Sequence, residues 1–278
     1  MIPIKKIAFL GSGVMGTALA TAAAQGISPD QIVVTDIIPE KAQSLARQLG
    51  CSSASNAEAV HQCQYIVFCI KPQFLESVLE EVAPVFQECA ARGDEKIIVS
   101  IVAGIESQSY LISLGLTEHP LPVIRMLPNT ACLIGKGFTL MMADGNYQPQ
   151  QAEELQHILR FSGGFTSLPA SRFVAGTVLT STSPAFIAMF ASALADGGVY
   201  NGLLRPEARA LALQGLLSTI QLMLSSEKHP EQLKDEVCSP AGPAMYGVKS
   251  LEDSGFRSSV TNAVITAYQR FSDMSNLK

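Results

Sequence analysis

Short apolar runs alternate with helix-compatible segments along the first half of the chain. The runs lie at residues 7–10, 32–35, 65–70, 96–102 and 123–126. Continuous apolar runs of this length are typical of strands that are buried on both faces of a parallel sheet. The segments between them, among them residues 39–49 and a long amphipathic stretch ending near Ala90, are predicted helices. This alternation predicts an α/β fold with a doubly wound sheet.

The pattern changes near Pro169, and the rest of the chain reads as helices. Before this point, strands are predicted at residues 135–139 and 166–168, with a helix at 149–161 between them. We therefore predict two domains, 1–168 with the sheet and 169–278 with helices only. A predicted helix at 206–225 is apolar almost all round, and such a helix must be buried. A domain of about 110 residues hides it poorly, which favours packing against a second copy of the chain over a larger monomeric core.

A glycine-rich turn follows the first apolar run. Gly11, Gly13 and Gly16 have the spacing G-x-G-x-x-G, and an Ala-rich, helix-compatible segment comes after them. In this context Gly11 permits a tight turn, Gly13 lets a pyrophosphate approach the backbone, and Gly16 lets the helix pack closely on the strand. The free N–H groups at the helix start then face the phosphates. The alternative, a glycine-rich turn without a ligand, is less consistent with the next observation.

Asp36 ends the second apolar run and lies 20 residues after Gly16. An acidic residue at this spacing reaches the adenosine ribose of a dinucleotide. Its charge favours the free 2′-hydroxyl of NADH over the 2′-phosphate of NADPH. Lys41 and Arg47 are near in sequence and can shift that balance, so the sequence leaves both NADH and NADPH open.

The composition of the chain limits the kinds of partner that it can bind. The 278 residues are 47% hydrophobic and 15% charged, with a net charge of −5 and no Lys/Arg run, so we expect no nucleic-acid binding. Six cysteines and four histidines show no metal-ligand spacing, so no metal site is predicted. Residues 173–195 carry no charge, but Thr180 to Pro184 interrupt them, and we expect a buried helix rather than a membrane span. The first apolar run is too short for a signal peptide, so a cytoplasmic protein is expected.

The chain resembles the pyrroline-5-carboxylate reductase family along almost its whole length. The shared motifs are G-S-G-V-M-G (11–16), C-I-K-P-Q (69–73), V-S-I-V-A-G-I (99–105), R-M-L-P-N-T (125–130), S-P-A-F (183–186), A-L-A-D-G-G-V (193–199), K-H-P-E-Q-L-K-D (228–235), V-C-S-P (237–240) and L-E-D-S-G-F-R (251–257). The resemblance implies an N-terminal Rossmann-like domain that binds NAD(P) and a C-terminal helical dimerisation domain, in a homodimer that can assemble further. It also implies NAD(P)H-dependent reduction of the C=N bond of 1-pyrroline-5-carboxylate to L-proline.

The same resemblance assigns site residues. The cofactor would be bound by the residues Gly11, Ser12, Gly13, Val14, Met15, Gly16, Asn56, Cys69, Ile70, Lys71, Pro72, Val102, Ala103 and Gly104, with Asn56 on the adenosine side and the last seven on the nicotinamide side. Asp36, which its spacing indicates, completes the predicted cofactor site. The substrate would be bound by Glu227, Ser239, Gly242, Pro243 and Ala244.

One loop departs from the family pattern. The family reads S-P-G-G-T-T or S-P-G-G-A-T, whereas this chain has Ser239-Pro240-Ala241-Gly242-Pro243-Ala244. The resemblance implies that this loop binds the substrate carboxylate and that its last threonine hydroxyl lies near the imine nitrogen. Ala244 has no hydroxyl, and Pro243 has no N–H to donate. Pro243 is also the usual first residue of a helix, which is the interpretation we favour for it.

The departure leaves the catalytic group unassigned and keeps two other functions open. One is a reductase of another small cyclic imine. The other is a non-catalytic relative that binds NAD(P) and acts by interaction. A beta-hydroxyacid dehydrogenase fits less well, because Lys234 and Lys249 do not lie in the N-x-x-K-like helix that such enzymes use.

Overall fold

A computed structural model describes residues 5–276 of the chain, with side chains from residue 6 to residue 273. Within this range eight strands form one sheet in the order β3-β2-β1-β4-β5-β6-β7-β8. Their bounds are β1 Lys5–Leu10, β2 Ile32–Thr35, β3 Ser52–Ser53, β4 Cys63–Phe68, β5 Ile97–Ser100, β6 Val123–Pro128, β7 Gly137–Met142 and β8 Gly163–Leu168. Strands β1 to β6 are parallel, whereas β7 is antiparallel to β6 and parallel to β8.

Twelve α-helices lie in the described part of the chain. They are α1 Val14–Gly26, α2 Pro39–Leu49, α3 Asn56–Gln62, α4 Leu75–Ala91, α5 Ser107–Ser113, α6 Pro149–Ile158, α7 Ala170–Thr177, α8 Ser183–Tyr200, α9 Arg205–Ser225, α10 Pro230–Val237, α11 Pro243–Asp253 and α12 Phe256–Asn276. A π-helical turn, Val178–Thr182, joins α7 to α8. The seven predicted strands and the individually predicted helices are confirmed with small shifts of their ends, while β3, α3 and α5 are additional elements. Helices α7, α10 and α12 lie in the region that was predicted as helical without bounds.

Helices cover both faces of the sheet. Ile7 and Phe9 of β1 pack on one face with buried residues of α1, α2 and α6, and Ala8 and Leu10 pack on the other with residues of α3, α4 and α5. Successive side chains of a strand point to opposite faces, so a strand that is buried on both must be apolar throughout. The predicted fold class, a Rossmann-like doubly wound sheet followed by a helical region, is confirmed.

The chain divides into two compact units. One comprises residues 5–181 together with 268–276, and the other comprises Thr182–Ala267. Helix α7 belongs to the first unit because it packs against β7 and β8, with Phe173 buried beside Leu140 and Met142. This division lies later in the chain than the domain limits of 1–168 and 169–278, which stay a prediction.

In the second unit α8 and α9 pack together. They approach closely at Gly198, where an added Cβ would lie 3.2 Å from the Cβ of Ala208. The outer surface of α9 is apolar, and the side chains of Leu211, Leu217 and Leu224 are 61%, 50% and 83% exposed. One chain therefore leaves this helix uncovered, which agrees with the expectation that it packs against a second copy of the chain.

The continuous helical segment Ala170–Tyr200 is long and apolar enough to cross a membrane, with a mean hydropathy of 1.5. Only 11% of its most apolar 18-residue stretch is buried. The predicted burial of residues 173–195 is therefore not met within one chain. Length and composition alone are weak support for a membrane span, because a core helix or an interface helix of a soluble protein has the same properties.

Candidate active site

The carboxyl ends of four adjacent strands lie in one row of the first unit. Leu10 pairs with Thr35 on one side and with Phe68 on the other, and Phe68 pairs with Ser100. The segments that follow these four residues contain every predicted cofactor-binding residue except Asn56. Since ligands of open α/β sheets bind beyond the carboxyl ends of the strands, this edge is the candidate site.

The glycine loop forms a cradle at the centre of this edge. Gly11 has a φ of +107°, and a Cβ added at Gly16 would lie 1.9 Å from the carbonyl oxygen of Gly11. Gly13 is the N-cap of α1, and no atom lies within 4 Å of the position of an added Cβ there. In the described structure no side chain caps this helix start, so its N–H groups and the open space at Gly13 fit a pyrophosphate.

The loop is held by the end of β2. The N–H of Ser12 donates to Asp36 Oδ2 at 2.9 Å, and the Ser12 hydroxyl donates to the carbonyl oxygen of Thr35 at 2.8 Å. The other carboxylate oxygen of Asp36, Oδ1, accepts the N–H of Ile38 at 3.0 Å. Asp36 therefore orients the loop as well as lying at the position expected to face a ribose.

Asn56 connects β2 to a second carboxylate. The Thr35 hydroxyl donates to Asn56 Oδ1 at 2.5 Å, and Asn56 Nδ2 donates to Glu81 Oε2 at 2.9 Å. Asn56 is the first residue of α3, and Glu81 lies on α4. Nothing in the sequence points to Glu81, because one Glu among several on an amphipathic helix carries no signal of its own.

On the opposite side of the edge, next to β4 and β5, Cys69 is partly buried and Val102 is buried, whereas Lys71 and Pro72 are exposed. The N–H of Cys69 donates to the carbonyl oxygen of Leu10 at 2.8 Å, and burial raises the pKa of the Cys69 thiol, which therefore stays protonated. Ser100 Oγ lies 2.7 Å from Tyr110 Oη and accepts the N–H of Val102 at 3.3 Å. Burial also raises the pKa of the Tyr110 hydroxyl. The buried part of this surface can line a nicotinamide ring, and Lys71, two residues after Cys69, is the charged residue of the segment.

The end of β6 is tied to the π-helical turn. Asn129 Oδ1 accepts the N–H of Phe138 at 3.1 Å, and Asn129 Nδ2 donates to the carbonyl oxygen of Thr180 at 3.1 Å. A π-helical turn disrupts the regular i→i−4 ladder, so an external donor stabilises it. Asn129 therefore fixes the geometry where the sheet ends and α7 continues.

The substrate loop of the sequence analysis lies in the second unit. The N–H of Gly242 donates to the carbonyl oxygen of Ser239 at 2.9 Å, which closes a turn with Pro240 and Ala241 at its centre. Ala241 has a φ of +55°, in the region that the third position of a type II turn requires and that normally selects glycine. A Cβ added at Gly242 would lie 2.2 Å from Ser239 Oγ, so this position accepts only glycine without a shift.

Pro243 is the first residue of α11, as favoured from the sequence, with Gly242 as the N-cap. The N–H of Met245 donates to the carbonyl oxygen of Gly242 at 3.1 Å, which leaves the N–H of Ala244 as the donor of the first turn. Ala244 is half-buried, and Glu227 is an exposed residue between α9 and α10.

The strained Ala241 gives a stability prediction. Ala241→Gly will raise the free energy of unfolding by about 0.5–1 kcal/mol, because the left-handed conformation costs a non-glycine residue about 1–2 kcal/mol and the greater freedom of glycine in the unfolded chain offsets part of the gain. Denaturant unfolding at fixed protein concentration measures this change. Ala244→Gly, in the helix three residues later, is the control and lowers stability. Equal effects of the two variants would show that Ala241 carries no strain.

The glycine loop, the acidic residue after β2 and the doubly wound sheet together define a dinucleotide-dependent oxidoreductase of the Rossmann class. A family model described as NADP oxidoreductase, coenzyme F420-dependent, matches residues 6–104, and one described as pyrroline-5-carboxylate reductase dimerisation matches residues 170–274. The chain belongs to the pyrroline-5-carboxylate reductase family, as its sequence resemblance indicated.

Individual relatives cover the chain from end to end. The pyrroline-5-carboxylate reductase of Synechocystis is 33% identical over 97% of this chain and 98% of its own, and that of Escherichia coli is 31% identical over 98% of both. The crystal structure of Plasmodium falciparum pyrroline carboxylate reductase with NADP bound has a TM-score of 0.85, at 27% identity over 99% of both chains. The similarity therefore includes both units.

Proposed function

We propose that this chain reduces the C=N bond of 1-pyrroline-5-carboxylate to give L-proline, the last step of proline biosynthesis, with NAD(P)H as cofactor. The observation that carries this conclusion is family membership over almost the full chain, at 33% identity to a pyrroline-5-carboxylate reductase. When bound, the reduced nicotinamide supplies the hydride that the imine carbon accepts. The open glycine cradle at the carboxyl edge of the sheet supports the same cofactor class.

The cofactor-binding residues divide along this edge. The loop from Gly11 to Gly16 binds the pyrophosphate through backbone N–H groups, and Asp36 and Asn56 face the adenosine side. Cys69 to Pro72 and Val102 to Gly104 line the nicotinamide side, where the neutral Cys69 thiol and Val102, held by the buried Ser100–Tyr110 pair, exclude water, and Lys71 is the one charged side chain. Water exclusion favours hydride transfer over competing reactions.

The substrate carboxylate is bound by the loop that opens α11. Ser239, Gly242, Pro243 and Ala244 form this loop, and Glu227 is the further substrate contact. Because Pro243 has no N–H and Ala244 has no hydroxyl, the loop has fewer donors than the family pattern. A pyrroline imine that arrives already protonated needs positioning more than a proton donor, so the reaction proceeds without the missing hydroxyl, at a rate that the hydroxyl would raise.

The exposed apolar helices support a homodimer, which can assemble further. Leu211, Leu217 and Leu224 leave α9 with an apolar surface that one chain does not cover, and the matching family model describes a dimerisation region. Light scattering after size-exclusion chromatography will give a mass of at least two chains of 29.6 kDa each. A monodisperse 29.6 kDa species at micromolar concentration would contradict the dimer.

Ala244 is the one observation that favours another function. A chain that lacks the usual hydroxyl can reduce a different small cyclic imine, or bind NAD(P) without catalysis. Rescue of a bacterial proline auxotroph separates these possibilities: growth without proline supports the proposed reaction, and a Gly16→Val variant that fails to rescue is the control. No growth with a folded, expressed protein favours the alternatives. We propose that the reaction takes place in the cytoplasm, as the rescue experiment assumes.

A further inference from the structure

We propose that Arg257 is a positioning residue for the reaction, because its guanidinium group holds together the two helices on either side of the substrate loop. The group contacts Glu231 of α10 and Glu252 of α11, and we call these three residues the arginine clamp. The role of the clamp rests on the proposed function, in which the loop binds the substrate carboxylate.

The loop between α10 and α11, residues 238–242, takes its direction from the helices that flank it. Its backbone N–H groups donate to carbonyl oxygens of residues 234–239, so in the described structure its own hydrogen bonds stay within the end of α10 and the loop. No side chain caps α11 at Gly242 there. The N–H of Ala244, the donor left for an anion in the first turn of α11, therefore points where the helix axis points.

The angle between α10 and α11 depends on side chains. Within one chain, α10, α11 and α12 have few close backbone contacts with one another, whereas α8 and α9 pack closely. A contact that joins α10 to α11 through a third element is therefore well placed to set the orientation of the loop.

Arg257 makes this contact. It is the second residue of α12, and its Nη1 lies 2.9 Å from Oε1 of Glu231 in the first turn of α10. Its Nε donates at 2.6 Å to Oε1 of Glu252 in the last turn of α11. A guanidinium group is planar and presents its donors in a rigid fork, so the two carboxylates are held in a fixed arrangement.

The carboxylate on α10 is kept charged by two cations. Glu231 Oε2 accepts a hydrogen bond from Lys234 Nζ at 2.8 Å, while Oε1 faces Arg257. The hydrogen bonds from Arg257 and Lys234 lower the pKa of the Glu231 carboxyl to about 2. The contact between Glu231 and Arg257 is therefore ionic at any pH at which the enzyme would work.

The clamp is anchored to the rest of the second unit through the residue next to it. Phe256 packs on Phe190 of α8, with ring centroids 5.8 Å apart. The side chains of Arg257, Glu231 and Glu252 are about half exposed, and an isolated ion pair at such a site contributes little to stability. We therefore expect the clamp to act mainly on the geometry of the loop and little on folding.

Steady-state kinetics of the purified full chain with 1-pyrroline-5-carboxylate test this role. Arg257→Lys keeps the charge, but a single ammonium group does not reproduce the fork that reaches both carboxylates. We expect KM for the imine to rise about tenfold, the effect of misplacing one hydrogen bond to a charged group, while KM for the cofactor stays unchanged. Glu231→Gln will raise the same KM by a smaller factor. A merely structural role would reduce the active fraction and so lower kcat alone.

Lys249→Gln is the matched control. Lys249 pairs with Asp253 at 2.7 Å, and both residues lie on α11, so its loss removes an exposed ion pair without releasing one helix from another. KM for the imine will not change in this variant. An equal rise in KM in Lys249→Gln and Arg257→Lys would overturn the proposal, because any lost surface charge would then have the same effect.

A second readout does not require turnover. Amide hydrogen exchange of residues 238–245 will be faster in Arg257→Lys and in Glu231→Gln than in the unaltered protein, and unchanged in Lys249→Gln. If Arg257→Lys does not fold, Glu231→Gln provides the same comparison. Unchanged exchange in the clamp variants overturns the proposal, as does faster exchange with an unchanged KM for the imine. A protein that exchanges as expected yet reduces no imine refutes the proposed function, while the hold of the clamp on the loop stands.

Discussion

Replacing Gly16 with alanine will weaken NAD(P)H binding by about ten- to a hundredfold, since it moves backbone N–H donors away from the pyrophosphate and a hydrogen bond to a charged group contributes about 1.5–3 kcal/mol. The added Cβ would lie 1.9 Å from the carbonyl oxygen of Gly11 and 3.1 Å from Cys69 Cβ. Backbone cannot move aside as a flexible side chain does, so α1 and the glycine loop must separate. The overpacking also lowers the free energy of unfolding by about 1–3 kcal/mol. Cofactor fluorescence and denaturant unfolding measure the two effects.

Gly13→Ala is the matched control for this variant. The added methyl group meets no atom within 4 Å and the φ of Gly13 is −73°, so the fold keeps its stability. The methyl group instead enters the space in which we expect the pyrophosphate, so cofactor affinity falls by about tenfold or more, the cost of moving a phosphate off backbone N–H donors. Unchanged affinity in both variants would show that the pyrophosphate does not lie on this loop.

The second large effect concerns the substrate loop. The double variant Pro243→Thr/Ala244→Thr will raise turnover of 1-pyrroline-5-carboxylate by about ten- to a hundredfold, because a hydrogen bond to a charged group contributes about 1.5–3 kcal/mol. Steady-state kinetics measure it. The hydroxyl at position 244 acts on the imine as it is reduced, so we expect its effect in kcat. A donor regained at position 243 binds the substrate carboxylate, so we expect its effect as a lower KM.

Pro243→Thr/Ala244→Val is the control for shape. Valine has the branching of threonine without its hydroxyl, so it reproduces any packing change at α11 and none of the hydrogen bonding. Should the two double variants have the same kcat, the hydroxyl does not limit the rate, and the protonated imine alone accounts for the chemistry.

The sheet and the glycine loop could be predicted because local sequence determines them. Ile7 to Leu10 are apolar on both faces of a strand, and the spacing from Gly11 to Gly16 has one common structural meaning. The reversal of β7 could not be predicted in this way, since strand direction depends on how the connection after β6 packs. The two-residue strand β3 exists only through its pairing with β2, as Val33 and Val34 pair with Ser52 and Ser53.

The details of the site depend on contacts between residues that are distant in sequence. Asp36 was predicted to face a ribose, but its hydrogen bond to Ser12 joins residues 24 positions apart, and the bond of Asn56 to Glu81 spans 25. No local pattern indicates such pairs. The positive φ of Ala241 could not be predicted either, because alanine rarely adopts the left-handed conformation.

The exposed surface of α9 shows a different limit of prediction from sequence. Its apolar pattern correctly indicates a surface that needs to be covered, yet one chain leaves Leu224 83% exposed. Periodicity tells which residues avoid water but not which molecule covers them, so the sequence predicts the interface and the oligomeric state must be measured.

The most direct test of the central claim is an assay of the purified protein with 1-pyrroline-5-carboxylate, in which cofactor oxidation and the amino-acid product are followed together. The account predicts that NAD(P)H is consumed in a one-to-one ratio with the L-proline formed, and that Gly16→Ala lowers both rates at subsaturating cofactor. A folded oligomer that binds the cofactor but forms no proline with either NADH or NADPH would contradict it.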